Sequence, residues 1–268
     1  MNLVWKGLIL VVGVSLSPQA KAQEWTGAYL GLDIGQNSAR AATDSRGTAG
    51  FSAGVGGDAP GSAAQATSLT GNYDSLLDGP AFGAHLGYNW QQGVVVLGLE
   101  ADVQRPSQSG TNTIDTLTTV ASYPSNPLSA SLSQTDSIDY LSTLRARLGY
   151  AGEQWLLYGT AGLAIGKVNS RVTYDGRYVA APTIVFDDFN ASFSDMRAGY
   201  VIGAGAEYAL AEKWTVRAEY LYYDLGRSSR DFSVVSQVPA TGFIATGVAN
   251  ASTKWAGSMV RLGISYRF

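Results

Sequence analysis

The 268-residue sequence contains no cysteine and a single histidine, His85. Without thiols there is no disulfide framework, no thiolate nucleophile and no Cys-based zinc or iron–sulfur site. With one imidazole, a Ser-His-Asp triad, a multi-His metal centre or a proton relay would each have to run through His85. Charge is scarce too, since 15% of residues are Asp, Glu, Lys or Arg, against about 25% in soluble domains. The 18 bases and 21 acids leave a formal charge of −3, so bulk charge offers no nucleic-acid patch. No run of about 18 apolar residues occurs, which argues against a membrane-spanning helix. Glycine is plentiful at 32 residues.

Residues 1–22 read as a secretory signal. A positive start at Lys6 precedes a short apolar run from Leu8 to Leu16, then Pro18, then Ala20-Lys21-Ala22 as an A-x-A cleavage site. The run is too short to cross a hydrocarbon core of about 30 Å. Cleavage would start the mature chain at Gln23 and make residues 23–268 one barrel domain.

Along that domain the apolar period is two, not 3.6, which predicts strands. They fall near residues 25–36, 80–90, 94–104, 138–150, 154–168, 196–209, 214–226 and 254–268. The connections alternate: 91–93, 151–153 and 210–213 are tight, whereas 37–79, 105–137, 169–195 and 227–253 are long and polar. Soluble domains seldom carry several structureless loops of that length, but outer-membrane barrels join short periplasmic turns to long extracellular loops. The spacing predicts an all-β, eight-stranded antiparallel up-and-down transmembrane barrel with four long extracellular loops.

Successive side chains of a strand point to opposite faces. One parity is apolar, as in Leu30, Leu32 and Ile34, or Leu97, Leu99 and Val103, or Val260, Leu262 and Ile264. The other is small or charged. Trp90, Tyr150, Trp155, Tyr208, Trp214, Tyr266 and Phe268 fall on the apolar parity at the periplasmic ends, and Tyr140, Tyr200 and Tyr222 at the opposite ends. Two aromatic belts bounding an apolar band are what bilayer interfaces select, so the apolar parity is assigned to lipid. Lys167, Asp224 and Lys254 break the pattern at the outer rim, where charge costs little and a register slip would also account for them.

The lumen then receives Asp33, Glu100, Asp102, Glu207 and Glu219 with Arg145, Arg147, Arg197, Arg217 and Arg261. Unpaired buried charges cost several kcal/mol each, so interlocking salt bridges are expected, forming a plug. Glu100 and Asp102 could imitate an acid/base pair, but structural ion pairing is the simpler role. His85 alone makes a weak metal or haem ligand and is read as a lumen hydrogen-bonding group. Gly203-Ala204-Gly205 lacks the helix and third glycine of a dinucleotide loop and is read as space for bulky neighbours. No catalytic residue, metal or cofactor is expected. The first loop, rich in Gly, Ala, Ser and Thr, is predicted to be mobile. The third and fourth, with Tyr174, Phe186, Phe189, Phe232 and Phe243, are predicted to be hairpins that extend the barrel and could meet an extracellular partner.

The segments "EWTGAYLGLDIG", "FGAHLGYNWQQG", "VLGLEADVQ", "LSTLRARLGYA", "YGTAGLAIG", "GAGAEYALAEKWTVRAEYLYYDLG" and "VRLGISYRF" resemble the RopB-type small outer-membrane β-barrel proteins of alphaproteobacteria, within the OmpA-like eight-strand group. The resemblance covers nearly all of the mature chain, though the long first loop departs from it. It implies a structural, surface-exposed envelope protein of the cell outer membrane, embedded among lipid and lipopolysaccharide and without catalytic residues. It also implies that Ile264, Tyr266 and Phe268 form the C-terminal signal read by the barrel assembly machinery. A narrow porin for ions or small solutes is the alternative function, and a barrel enzyme at the outer surface is a third.

Overall fold

The computed structural model describes residues 24–49, 59–120, 123–180, 183–238 and 243–268, so the expected signal segment lies outside the described residues. Nine strands and one helix follow in the order β1 (Gly27–Ala49), α1 (Ala59–Ser68), β2 (Gly71–Gln92), β3 (Val95–Pro106), β4 (Ser109–Val120), β5 (Tyr123–Ala151), β6 (Trp155–Ala180), β7 (Thr183–Ala209), β8 (Trp214–Val238) and β9 (Phe243–Arg267). All pair antiparallel in one sheet of order β3-β2-β1-β9-β8-β7-β6-β5-β4, closed by a β3–β5 ladder. The ring therefore has eight positions. β3 and β4 share one of them, with β3 pairing the inner half of β5 and β4 its outer half. The turn between β2 and β3 is tight because Gly93 takes φ 61°, which favours glycine at the first position of a two-residue hairpin.

The strands run far beyond the expected outer ends. β6 and β7 pair without interruption from Trp155↔Tyr208 to Ala180↔Thr183, and β1 pairs β9 from Tyr29↔Arg267 to Ala49↔Gly247. Most of each long outer connection is thus sheet, a walled extension above the membrane, and the third and fourth are hairpins as expected. The first connection, predicted to be mobile, holds α1 folded in the mouth. Ser68 shares a hydrogen bond of 3.0 Å with Tyr174, and the Ser45 hydroxyl donates to the Leu69 carbonyl at 2.7 Å. Residues 50–58 of that connection lie outside the described residues.

The apolar parity faces outward in the lower half. Leu32 is 65% exposed, Leu99 52% and Leu262 61%, part of a belt far larger than a soluble monomer presents. Aromatic side chains bound it below, with Trp214 edge-on to Tyr266 at 5.1 Å and Tyr266 edge-on to Phe268 at 5.3 Å. Above, Tyr200 and Tyr222 lie 6.4 Å apart.

At this upper belt the pattern inverts. In the extension Leu128, Leu132, Val172, Phe232 and Val234 point inward and are buried, while Ser133, Thr173 and Ser233 alternate outward. Water now lies outside, so the wall takes the ordinary polarity of a soluble barrel. In β5 and β8 the inversion is made by bulges, between Ile138 and Tyr140 and between Asp224 and Arg227, so that even-numbered apolar residues face outward below (Leu144, Leu148, Trp214, Tyr220) and inward above (Leu128, Leu132, Phe232, Val234). The three charged exceptions sit here. Lys167 pairs with Asp139 at 3.2 Å, and Lys254 with Asp224 at 3.1 Å, so two outward ion pairs mark the rim.

Leu99→Arg tests the facing directly. A cation near the midplane of a barrel's lipid face costs about 2–4 kcal/mol, so folded yield in lipid should drop and the denaturation midpoint fall. Wild-type yield and midpoint would contradict the assignment.

Candidate functional site

Inside the lower half, the inward parity builds one ionic layer around Glu100. Arg217 donates to Glu100 Oε2 at 2.8 Å, Arg147 at 3.3 Å and Tyr29 at 2.8 Å, while Arg145 and Arg261 reach Oε1, Arg261 at 3.5 Å. Four guanidiniums and a phenol thus converge on one carboxylate. Asp33 is gripped in bidentate fashion by Arg217, from Nε and from Nη2, both at 3.0 Å. Glu219 receives Arg145 at 2.9 Å, Arg261 Nε at 2.6 Å and the Tyr158 hydroxyl at 3.0 Å. Asp102 accepts from Thr143 at 2.6 Å and Arg145 at 2.8 Å. Glu207 pairs with Arg147, whose guanidinium also lies 3.8 Å over the Tyr158 ring. Five carboxylates face four arginines, all buried, and His85 joins them through Asp33. Nδ1 of His85 is 2.9 Å from Asp33, and Nε2 is 2.8 Å from the Ser265 hydroxyl. A carboxylate only accepts, so Nδ1 carries hydrogen here.

The register explains how such long side chains fit in an eight-position ring. Asp33 has Gly83 and Gly263 as cross-strand neighbours, Glu100 has Gly87, Arg145 has Gly162, Arg147 has Gly98 and Glu219 has Gly205. A methyl group on Gly205 would meet the Tyr158 ring, so the Gly203-Ala204-Gly205 segment supplies space rather than a nucleotide loop.

Nine of the ten residues expected in the lumen network are in this layer. Arg197 is the exception. It keeps the inward parity but sits near the outer rim, where its guanidinium donates to the Arg227 carbonyl. Parity specifies a face and not a height, so the sequence alone does not separate Arg197 from the others. Tyr29, Tyr158, Thr143, Gln104 and Ser265 belong to the layer although the charge pattern did not single them out; Tyr29, Thr143, Gln104 and Ser265 share their strands' charged parity, whereas the charged residues of β6 all lie on the parity opposite to Tyr158.

Apolar and polar layers lie on both sides of the ionic one. Below, Trp25 is fully buried among Val96, Leu156 and Tyr158, its backbone amide held by Gln91 at 2.6 Å. Above lie Leu77, Ile138, Leu141, Val201, Leu221 and Trp255. Higher still, Asp136 is buried and accepts from Gln134 at 3.0 Å. Burial raises the pKa of this Asp136 carboxyl above the ordinary range, partly offset by hydrogen bonds including that from Gln134. The top layer packs Leu69, Tyr73, Leu128, Leu132, Tyr174 and Phe232 around Ala64 of α1. Among the described residues, no cluster of three His, Cys, Asp or Glu could hold a metal ion.

Comparison with known proteins agrees with this architecture. Residues 7–268 match the family described as outer membrane protein beta-barrel domain. The chain is 37% identical over 169 residues to the 31 kDa outer-membrane immunogenic protein of Brucella melitensis biotype 1, covering 59% of each. It is 31% identical over 157 residues to the 22 kDa outer membrane protein of Rhizobium leguminosarum bv. viciae, covering 59% of this chain and 57% of that one. The aligned region thus spans somewhat under two thirds of these relatives. Among solved structures it aligns with Neisserial surface protein A at 10% identity and a TM-score of 0.31, covering 91% of this chain and 98% of that one. It also aligns with the outer membrane protease OmpT of Escherichia coli at 12% identity and a TM-score of 0.37, covering 94% and 100%.

Removing the hub carboxylate should leave four buried guanidiniums crowded around a void. Glu100→Ala is expected to cost about 3–5 kcal/mol of stability in lipid, as breaking a buried ion pair does. Glu100→Gln, which keeps the shape, should cost less. Denaturant unfolding of both variants in the same lipid checks this, and equal, sub-kilocalorie effects would contradict the hub.

Proposed function

The chain belongs to the outer membrane protein β-barrel domain family, and from that premise we propose that it is a RopB-type structural, surface-exposed element of the cell outer membrane whose lumen is shut. The observation that carries this reading is the stacking of layers across the lumen: the Trp25 plug, the ionic layer at Glu100, the apolar layer at Leu141 and Leu221, and the layer under α1. A porin for ions or small solutes would need all of them to part. An enzyme would need a free general base or nucleophile, and His85 is buried between Asp33 and Ser265.

In this reading the apolar belt contacts lipid and lipopolysaccharide. The terminal Ile264, Tyr266 and Phe268 serve the barrel assembly machinery, consistent with their place at the closing β1–β9 ladder, where the Phe268 amide donates to the Ala28 carbonyl at 3.0 Å. The strand-built extension is what the cell exterior meets, and its β6–β7 and β8–β9 hairpins are the faces offered to an extracellular partner. A relative named as immunogenic is consistent with such an exposed wall.

Deleting the gene should leave uptake of small sugars unchanged while sensitising cells to detergents, and the wild-type gene should restore resistance. Slower sugar uptake with an intact barrier would instead favour the porin.

A further inference from the structure

β7 and β8 part above the membrane. Their ladder runs from Ala209↔Thr215 up to Tyr200↔Asp224 and ends there, so a lateral seam separates the two strands in the extension. The departure is made at Gly226, which takes φ 76° and donates its amide to Asp224 Oδ1 at 2.8 Å. Arg227 is the first residue of β8 beyond it. The bulge leaves Arg227 exposed on the outward face, directly opposite Lys254 of β9. Two cations on facing positions of one ladder have Cα atoms about 4.5–5.5 Å apart and repel each other. Lys254 is answered by Asp224 Oδ2 at 3.1 Å, which leaves both oxygens of that carboxylate engaged. On its other side the seam gives Arg227 no ladder partner, and among the described residues no carboxylate pairs with it.

Beside this pair of cations the outward face is hollowed into a shallow trough of about 360 Å³. Its floor is made of small side chains, Ser38, Ala256 and Ser258, with Tyr220 and Tyr222 as one wall and Leu76 as the other. Ser38 and Ser258 face each other in the β1–β9 ladder, and Lys254 follows Ala256 on the same face of β9, about 7 Å further along the strand. The walls are exposed side chains and not packed core, with Tyr220 50% and Leu76 65% exposed. Asp78, opposite Ser38 on β2, also borders the trough. Two hydroxyls and a carboxylate thus stand at the upper edge of a face that is otherwise apolar and aromatic.

We propose that this trough seats one lipopolysaccharide molecule of the outer leaflet, with a phosphate of its lipid A bridging Arg227 and Lys254 and an acyl chain lying on the small-residue floor. The inference rests on the outer-membrane reading above and assigns the face of the barrel at which that lipid is recognised. A sugar phosphomonoester carries close to two negative charges near neutral pH, enough to relieve the repulsion between both cations, whereas a phospholipid diester carries one. Hydroxyl and amide groups of an acylated glucosamine match Ser38, Ser258 and Asp78, for which a hydrocarbon chain offers nothing. The chain itself fits between the tyrosines and Leu76, where small side chains let it approach the wall closely.

The test is a titration of the refolded barrel, residues 23–268, with bisphosphorylated lipid A in detergent micelles, read by native mass spectrometry. One lipid A should bind saturably. Dephosphorylated lipid A with the same acyl chains, and phosphatidylglycerol, should each bind at least tenfold more weakly. Arg227→Gln and Lys254→Gln should each weaken bisphosphorylated lipid A at least fivefold, while Arg171→Gln, an exposed cation on β6 away from the trough, should leave it unchanged. Ser258→Phe, which fills the trough without altering charge, should weaken it at least tenfold and stands in if either charge variant fails to fold. Equal binding of the dephosphorylated form would mark a plain hydrocarbon contact, and equal binding of phosphatidylglycerol a general anionic one. Either result from folded barrels would overturn the inference and leave the outer-membrane reading standing, as would unchanged affinity in the folded variants or an equal loss in Arg171→Gln. A chain that forms no barrel in micelles would overturn both.

Discussion

A peptide group inside hydrocarbon has no water to bond, so a chain that crosses a bilayer as strands must close its ladder on itself. Here closure falls to the β1–β9 ladder between the two ends of the described chain and to the β3–β5 ladder on the far side. Once the ring is closed, the side-chain alternation leaves no third place for a residue. Lipid takes one parity and the lumen the other, and the low charge content of the chain follows from the area given to lipid.

The lumen of an eight-position ring is narrow enough to be filled by side chains. Filling it with ions is costly unless every charge has several partners, and Glu100, Asp33 and Glu219 each meet more than one guanidinium. Glycines across the ladder make the required room. Such a layer ties β1, β3, β5, β7, β8 and β9 together through the centre, a set of links that the lipid face, held only by non-directional contacts, cannot provide. The relation is reversed above the rim, where water surrounds the wall and an apolar interior stabilises it instead.

The lower barrel was legible because its period-two pattern lies between short turns and aromatic belts. Nine lumen residues followed from parity alone. The extension was not legible in the same way, since its strands change their apolar face at the rim. The bulges at Ile138/Tyr140 and Asp224/Arg227 leave the sequence parity intact while exchanging inside for outside, and β6 does the reverse, changing parity without a bulge. Polar runs such as Ser129 to Ser137 resemble loops because their outward residues face water and are polar. Arg197 shows the same limit at a single position, because height along a strand depends on register. The seam has no signal in either strand by itself: it arises where two otherwise regular strands stop pairing with each other.

The most direct test of the closed lumen is single-channel recording of refolded residues 23–268 in a planar bilayer, with folding verified on the same sample. The stacked layers predict no discrete conductance steps from wild-type barrels. Reproducible openings from folded protein would mean a continuous wet path past Glu100 and would contradict the account.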